Sequence, residues 1–334
     1  LVPTIQLKTQ FADEFIKWGY EDIIEQVVFT CYQTAYKMKD NHFNIIVCDE
    51  IHLGLSPEYR KFFENNTYDR LLCMTATVPE DKEYSEYLNV LAPTAYTITL
   101  DQCVKLGLVS PYEIICMSVK LTLDEQKEYD KAQKSFLYYK YELGQFDAFN
   151  EANRIIKDKN AYPEDKRKAV MFYRAIKNRK NVVDTASNKI TVLQKIVLNN
   201  PDKKILTFSG SNEFTNRMCE SIDPLGVTYH SNMTKKQRNL SLEKFNEGSV
   251  CVLCSTKALN QGFDVSGAEI GVICGLTSKS LTMIQRIGRL LRYEKNKIGK
   301  IVIVYVADSQ EDKWLKNAIK SFNNIKYMND IKKL

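Results

Sequence analysis

The sequence predicts an α/β protein made of two parallel-sheet lobes with a helical insertion between them. Three observations carry that prediction. First, apolar runs such as "FNIIVC" and "KIVIVYV" alternate with amphipathic stretches towards both ends of the chain. That is the rhythm of an open sheet with helices on its faces. Second, the rhythm stops between about 122 and 198, where β-rich runs are missing and Gly144 is the one glycine. Third, 44% of the 334 residues are apolar, enough to core two or three domains. The expected division is 1–120 for the first lobe, 121–200 for the insertion and 201–334 for the second lobe.

In the first lobe, short apolar runs predict strands at 1–7, 27–29, 43–48, 70–74 and 113–119, and helical spacing predicts helices at 10–18, 57–65 and 81–91. "FNIIVC" is continuous enough to predict burial on both faces. At 122, Thr122 and Glu125 have the spacing of a capping box, and Tyr129, Phe136, Tyr139 and Leu143 then recur at helical spacing. That aromatic stripe predicts packing more than base stacking. Helical character runs to about Leu198 with a break at Pro163, and "NNPDKK" reads as a turn. Strands follow at 204–208, 226–229, 250–254, 269–274 and 300–306, with helices at 212–222, 235–246, 280–291 and 310–322.

Composition narrows the function classes. The net charge of +6 is mild, but residues 157–180 hold nine basic and three acidic side chains. Such a run fits a solvated helix face or a phosphate-contacting surface equally well. The nine cysteines sit mostly inside apolar runs and are odd in number, so a reduced, cytoplasmic, unsecreted chain is expected. Cys251 and Cys254 form a C-x-x-C on a strand, where they face opposite sides and make a poor metal pair. No run is long enough to span a membrane, and no signal peptide is apparent.

Four segments carry chemistry. "VCDEIHLGL" places Asp49 and Glu50 at the carboxyl end of a strand, where α/β sheets bind ligands. One acid there can hold magnesium and its neighbour can activate water; an acid pair alone also fits a strand ending in surface charge. "LLCMTATVP" ends a strand in Thr75 and Thr77, hydroxyls able to bond that pair. "STKALNQGFDV" combines hydroxyls with Gly262 and Asp264, and also fits an ordinary turn. "QRIGRLLR" sets three arginines within eight residues, and Arg289 and Arg292 share a face on a helix. Guanidiniums suit charge spread over phosphate oxygens.

In this order and spacing, "DEIH", "TAT", "ALNQGFD" and "QRIGRLLR" resemble motifs II, III, V and VI of the superfamily 2 helicases. "LVPTIQLKTQF" resembles motif Ia, "FTCYQTAYK" the segment after it, and "KILTFSGS" motif IV. The branch most similar is that of the double-stranded DNA translocases, with the type I and III restriction motors and phage repair helicases. The resemblance implies two RecA-like lobes, ATP and Mg2+ as ligands, and movement along DNA driven by ATP hydrolysis. It implies DNA as partner, in a bacterial or virus-infected cell, alongside restriction, repair or replication proteins; an RNA helicase is the alternative within the family.

Carried residue by residue, the resemblance gives Asp49 and Glu50 to the metal and the attacking water. It gives His52, Thr75 and Thr77 to coupling, and Gly262 and Asp264 to the nucleotide. Gln285 falls to the phosphates or the first-lobe motifs, and Arg289 and Arg292 to the phosphates as arginine fingers. Pro3, Thr4, Thr30, Gln33, Ser209 and Thr256 match positions on a nucleic-acid backbone. Lys166, Arg167 and Lys168 are further candidates from charge alone. One part of the pattern is missing: no G-x-x-x-x-G-K-[ST] loop occurs, and the one Gly-Lys pair, Gly299-Lys300, opens a late strand. With Leu1 rather than Met at the start, the expectation is a chain truncated before its phosphate loop, inactive as it stands. The alternative is a non-catalytic nucleic-acid-binding or assembly module.

Overall fold

The computed structural model describes all residues except 77, 80, 257–266, 278–297, 321 and 329–334, and only the backbone of Gln6. It divides into two compact units, the first Leu1–Leu106 and the second the described residues from Gly107 on.

In the first unit Thr4 caps α1 (Ile5–Lys17), its side chain accepting from the Leu7 N–H. The strand expected at 1–7 is therefore a helix start, with only Val2 bridged to Cys31. Residues 27–29 are not a strand either. Two short helices, α2 (Glu21–Ile24) and α3 (Tyr32–Ala35), lead to β1 (His42–Cys48). A 3-10 turn (Ile51–Leu55) and α4 (Pro57–Glu64) connect β1 to its parallel partner β2 (Thr67–Cys73). Next come α5 (Lys82–Leu91) and α6 (Leu100–Lys105). Tyr32, Ile46, Ile51, Leu55, Phe62 and Phe63 form the core. Ile45 and Val47 stand 58% and 42% exposed, against the burial on both faces that the run predicts. Among the described residues β1 pairs with β2 alone; Leu1 meets the end of its other edge, donating to the Val47 carbonyl at 2.6 Å and accepting from the Asp49 N–H, and Ile45 and Val47 leave part of its surface open.

The second unit is built on a seven-stranded parallel sheet of order β5-β6-β4-β7-β8-β3-β9. Its strands are β3 (Tyr112–Val119), β4 (Ile205–Phe208), β5 (Gly226–Tyr229), β6 (Val252–Ser255), β7 (Ile270–Ile273), β8 (Gly299–Val306) and β9 (Ile325–Met328). β3, expected to close the first lobe, lies here between β8 and β9. An apolar run announces a strand but not its partners. On the sheet pack α10 (Ser187–Asn199), α11 (Asn212–Glu220), α12 (Lys235–Glu247) and α13 (Gln310–Ile319).

Three helices form the insertion: α7 (Leu123–Glu142), α8 (Ala148–Lys157) and α9 (Pro163–Asp184). They have their own core of Leu143, Ala148, Ala152, Ile155, Ala169 and Phe172, onto which Phe136 and Tyr139 pack. α10, expected to belong to it, instead buries Leu193, Ile196 and Val197 in the sheet core. The capping box at Thr122 and Glu125 is present. Glu125 also accepts from the Ser187 N–H and hydroxyl at 2.8 Å each, tying the starts of α7 and α10 together.

The strand order reverses at β4, whose neighbours are β6 and β7. Beyond this point the chains after β4 and β7 nearly touch: a Cβ on Gly275 would lie 2.4 Å from the Gly210 nitrogen. Glycine at 275 is what permits that approach.

Candidate active site

The first unit gathers four of the predicted residues at one strand end. β1 stops at Cys48, and Glu50 adopts a left-handed backbone (φ 49°, ψ 51°). This conformation is uncommon for a non-glycine residue and is a mark of functional sites. The turn is held by the Ile51 N–H donating to the Met74 carbonyl at 3.1 Å, and by the Met74 N–H donating to the Cys48 carbonyl at 2.8 Å. The chain after β1 is thereby fastened to the chain after β2.

Glu50 thus turns its carboxylate towards the end of β2. His52 Nδ1 lies 3.2 Å from Glu50 Oε2 and 2.9 Å from Thr75 Oγ1. The Thr75 hydroxyl donates to the same Glu50 oxygen at 3.5 Å. The His52 hydrogen bond, first, and the Ala76 N–H and Thr75 hydroxyl hold the Glu50 carboxyl below the usual glutamate range, against the opposing effect of burial. Glu50 is therefore an anion at neutral pH, aimed by three donors.

Asp49 stands in a different environment. Burial, then the neighbouring Glu50 charge, push its carboxyl above the usual aspartate range. The Tyr32 hydroxyl donates to the Asp49 carbonyl at 2.8 Å, and the Asp49 N–H donates to the Leu1 carbonyl at 2.9 Å. Two adjacent carboxylates at a strand end are the hard oxygen donors that Mg2+ takes, so these residues fit the expected ion. Tyr32 was not predicted as a site residue; its only signal is its place in "FTCYQTAYK".

Gly54 shows how tightly Tyr32 is set. A Cβ at 54 would lie 2.5 Å from the Tyr32 ring, so Gly54→Ala must displace the side chain that holds Asp49. The expected cost is about 1–3 kcal/mol, seen as a lower urea midpoint at unchanged slope.

The candidate nucleic-acid residues of the first unit also come together. The Val2–Cys31 bridge draws the two segments side by side, and the Gln33 side chain donates to the Pro3 carbonyl at 3.2 Å. The Val2 N–H donates to the Thr30 carbonyl at 3.0 Å. Thr4 sits at the start of α1, whose first N–H groups favour an anion.

In the second unit Ser209 and Thr256 follow the adjacent strands β4 and β6, both buried. The Ser209 hydroxyl is committed to the Ser211 carbonyl at 2.8 Å and Thr215 Oγ1 at 2.6 Å, so its side chain shapes the loop after β4. His230, after β5, lies at the same edge and bonds Asn216 at 3.0 Å. On the insertion, Arg167 is exposed, the Lys166 amine donates to the Lys159 carbonyl at 2.9 Å, and Lys168 pairs with Glu142 at 3.1 Å. Thr77, Gly262, Asp264, Gln285, Arg289 and Arg292 lie outside the described residues.

All nine cysteines carry free thiols. Cys254 is fully buried and its thiol meets that of Cys219, whereas the Cys251 thiol donates to the Leu225 carbonyl, so the two point apart as their spacing predicts. No described helix is long and apolar enough to cross a membrane.

With this geometry in view, comparison with known proteins is specific. Residues 1–80 match the family described as type III restriction enzyme, res subunit, and residues 188–294 match the helicase conserved C-terminal domain. The chain is similar to the DNA 3'-5' translocase XPB2 of Sulfurisphaera tokodaii, at 27% identity over 323 residues, covering 91% of this chain and 71% of that protein. It is similar to the DNA 3'-5' helicase XPB of Mycobacterium tuberculosis at 22% identity over 272 residues, covering 81% of this chain but 41% of the relative. In fold it resembles the helicase domain of Pyrococcus furiosus Hef, with a TM-score of 0.60 at 14% identity, over 95% of this chain and 88% of that one.

Proposed function

This chain belongs to superfamily 2 of the helicases and translocases, and on that premise we propose that it is the core of a motor that moves along DNA by hydrolysing ATP. The observation that carries the proposal is the triangle of Glu50, His52 and Thr75 beside Asp49 at one strand end. A carboxylate fixed in place by His52 and Thr75 can orient an attacking water and take its proton, although the same donors lower its basicity. Asp49 and Glu50 would hold Mg2+, which when bound offsets the charge on the nucleotide phosphates. His52 and Thr75 touch Glu50 directly, so a shift of its charge or position is passed to the loop after β2.

The roles of Thr77, Gly262, Asp264, Gln285, Arg289 and Arg292 rest on the motif resemblance. Arginines of this kind stabilise charge on the transferring phosphoryl group. DNA is proposed over RNA because a relative that matches 91% of this chain is named a DNA translocase. The start of α1 near Gln33 and the loop after β4, which the buried Ser209 shapes without offering its own hydroxyl, would grip the sugar-phosphate backbone, so binding is sequence-tolerant and salt-sensitive. On the insertion, Arg167 is the better phosphate contact, since Lys168 is already paired with Glu142.

The open apolar surface of β1, with Phe11, Phe15, Ile45 and Val47 lining a groove of about 680 Å3, suits a further βα unit carrying the phosphate loop. The test is DNA-stimulated ATP hydrolysis by the whole protein. Arg289→Ala is expected to lower turnover by about a thousandfold with DNA affinity retained. No stimulation by DNA, or equal rates in both proteins, overturns the assignment.

A further inference from the structure

α7 carries aromatic residues on two faces, and only one is used by the fold. Tyr129 and Leu143 are buried, and Phe136 stacks on Phe172 with ring centroids 5.6 Å apart. The other face runs Lys127, Lys131, Lys134, Tyr138, Tyr141, steps of four and three that keep these side chains in one line. Tyr138 is 58% exposed and Tyr141 72%. Past the turn at Gly144, Phe146 is 99% exposed. Packing explains none of these three rings.

The line carries its positive charge in the middle of the helix. On this line Lys127 is paired with Asp124 at 3.1 Å, which leaves Lys131 and Lys134 as its free cations, with Asp130 and Glu142 at its borders. Lys131 and Lys134 are exposed and make no ion pair among the described residues. From Lys131 to Tyr141 the line is about 15 Å long. The Tyr138 ring meets Tyr139 edge-on at 5.0 Å, and Tyr139 is itself packed on the insertion core, which limits the freedom of the outer ring.

We infer that this face of α7 is a track for unpaired nucleic acid, with Lys131 and Lys134 on the phosphates and Tyr138, Tyr141 and Phe146 stacking on bases. The inference rests on the motor reading above and names the form of substrate that the insertion takes. A duplex keeps its bases stacked on one another and offers no faces to these rings; lysines alone would serve it. A strand opened from its partner offers both a charged backbone and free base faces, the two features this surface matches. Two exposed lysines within two turns of Tyr138 also disfavour an apolar protein partner.

The test is fluorescence anisotropy with a labelled oligothymidylate and a duplex of equal length, using the whole protein. Tyr138→Ala with Tyr141→Ala is expected to weaken oligothymidylate binding by about tenfold or more and leave duplex affinity unchanged. Phenylalanine at both positions retains binding, since stacking needs the ring and not the hydroxyl. Lys131→Ala with Lys134→Ala weakens both ligands and flattens the salt dependence. All four side chains point to solvent, so circular dichroism should match the wild type. Unchanged oligothymidylate affinity in the alanine variant, or equal losses on both ligands, overturns the inference. So does a change in sedimentation behaviour, which would assign the face to a second copy. If duplex-stimulated ATP hydrolysis persists through any of these failures, the motor reading stands without this track.

Discussion

Glu50→Gln is expected to lower DNA-stimulated ATP hydrolysis by about 10^2 to 10^4-fold while leaving the fold and DNA binding intact. The substitution keeps the shape of the side chain and one acceptor oxygen, so His52 Nδ1, 3.2 Å away, and the Thr75 hydroxyl retain a partner. What it removes is the negative charge and the basicity, and a positioned base contributes about that factor. The left-handed backbone at 50 is equally tolerable to both residues. Thr75→Ala separates the roles: it deletes a donor to Glu50 but leaves the carboxylate, so the loss should fall on the coupling of hydrolysis to movement more than on hydrolysis itself. Steady-state phosphate release at saturating DNA, beside a displacement assay for movement, checks both. A Glu50→Gln protein within about twofold of wild type would remove Glu50 from the chemistry.

Much of this site was readable before the fold was known, because its parts are local. A strand that ends in two acids places them at a carboxyl edge whatever surrounds it, and Asp49 and Glu50 are found there. The bond from His52 to Thr75 spans 23 residues. It was foreseeable only through the motif resemblance, since spacing does not say that β1 and β2 are neighbours. The positive φ of Glu50 left no trace, for glutamate seldom marks such turns.

The misread elements have physical causes. "LVPTIQL" is apolar enough for a strand, but Thr4 caps a helix there, and short apolar runs do not separate the two states. β3 reads as a strand of the first lobe but lies in the second sheet, because its pairing with β8 is a contact across nearly two hundred residues. β9 is four residues, "IKYM", with no apolar alternation to announce it. On α7 the packed stripe was legible from spacing, whereas the outer line of lysines and tyrosines gained its meaning only from exposure.

The largest effect on stability is expected at Lys189, which has no part in the chemistry. Its side chain and that of Glu311 are fully buried. The Lys189 amine donates to both Glu311 oxygens at 2.9 Å and to the Cys274 carbonyl at 2.8 Å. Glu311 also accepts the Val306 N–H at 2.7 Å. The pair thus joins the first turns of α10 and α13 to the ends of β7 and β8. Lys189→Met leaves a carboxylate buried without its cation, and breaking a buried pair from one side costs about 3–5 kcal/mol. Melting should fall by about 10 °C for a unit of this size. A double variant, Lys189→Met with Glu311→Leu, should recover much of the loss, since apolar replacement of both partners removes the stranded charge. The pH dependence gives an independent check. Burial already pushes the Glu311 carboxyl above the usual glutamate range, and Lys189 opposes that shift. Without the lysine the folded protein holds a proton on Glu311 that the unfolded chain releases, so stability falls as pH rises above the ordinary glutamate value. Lys189→Met should therefore lie closer to wild type at pH values near that of a free glutamate than at neutral pH. A deficit that does not vary with pH, or a double variant no better than the single one, would show that packing rather than the buried charge sets the cost.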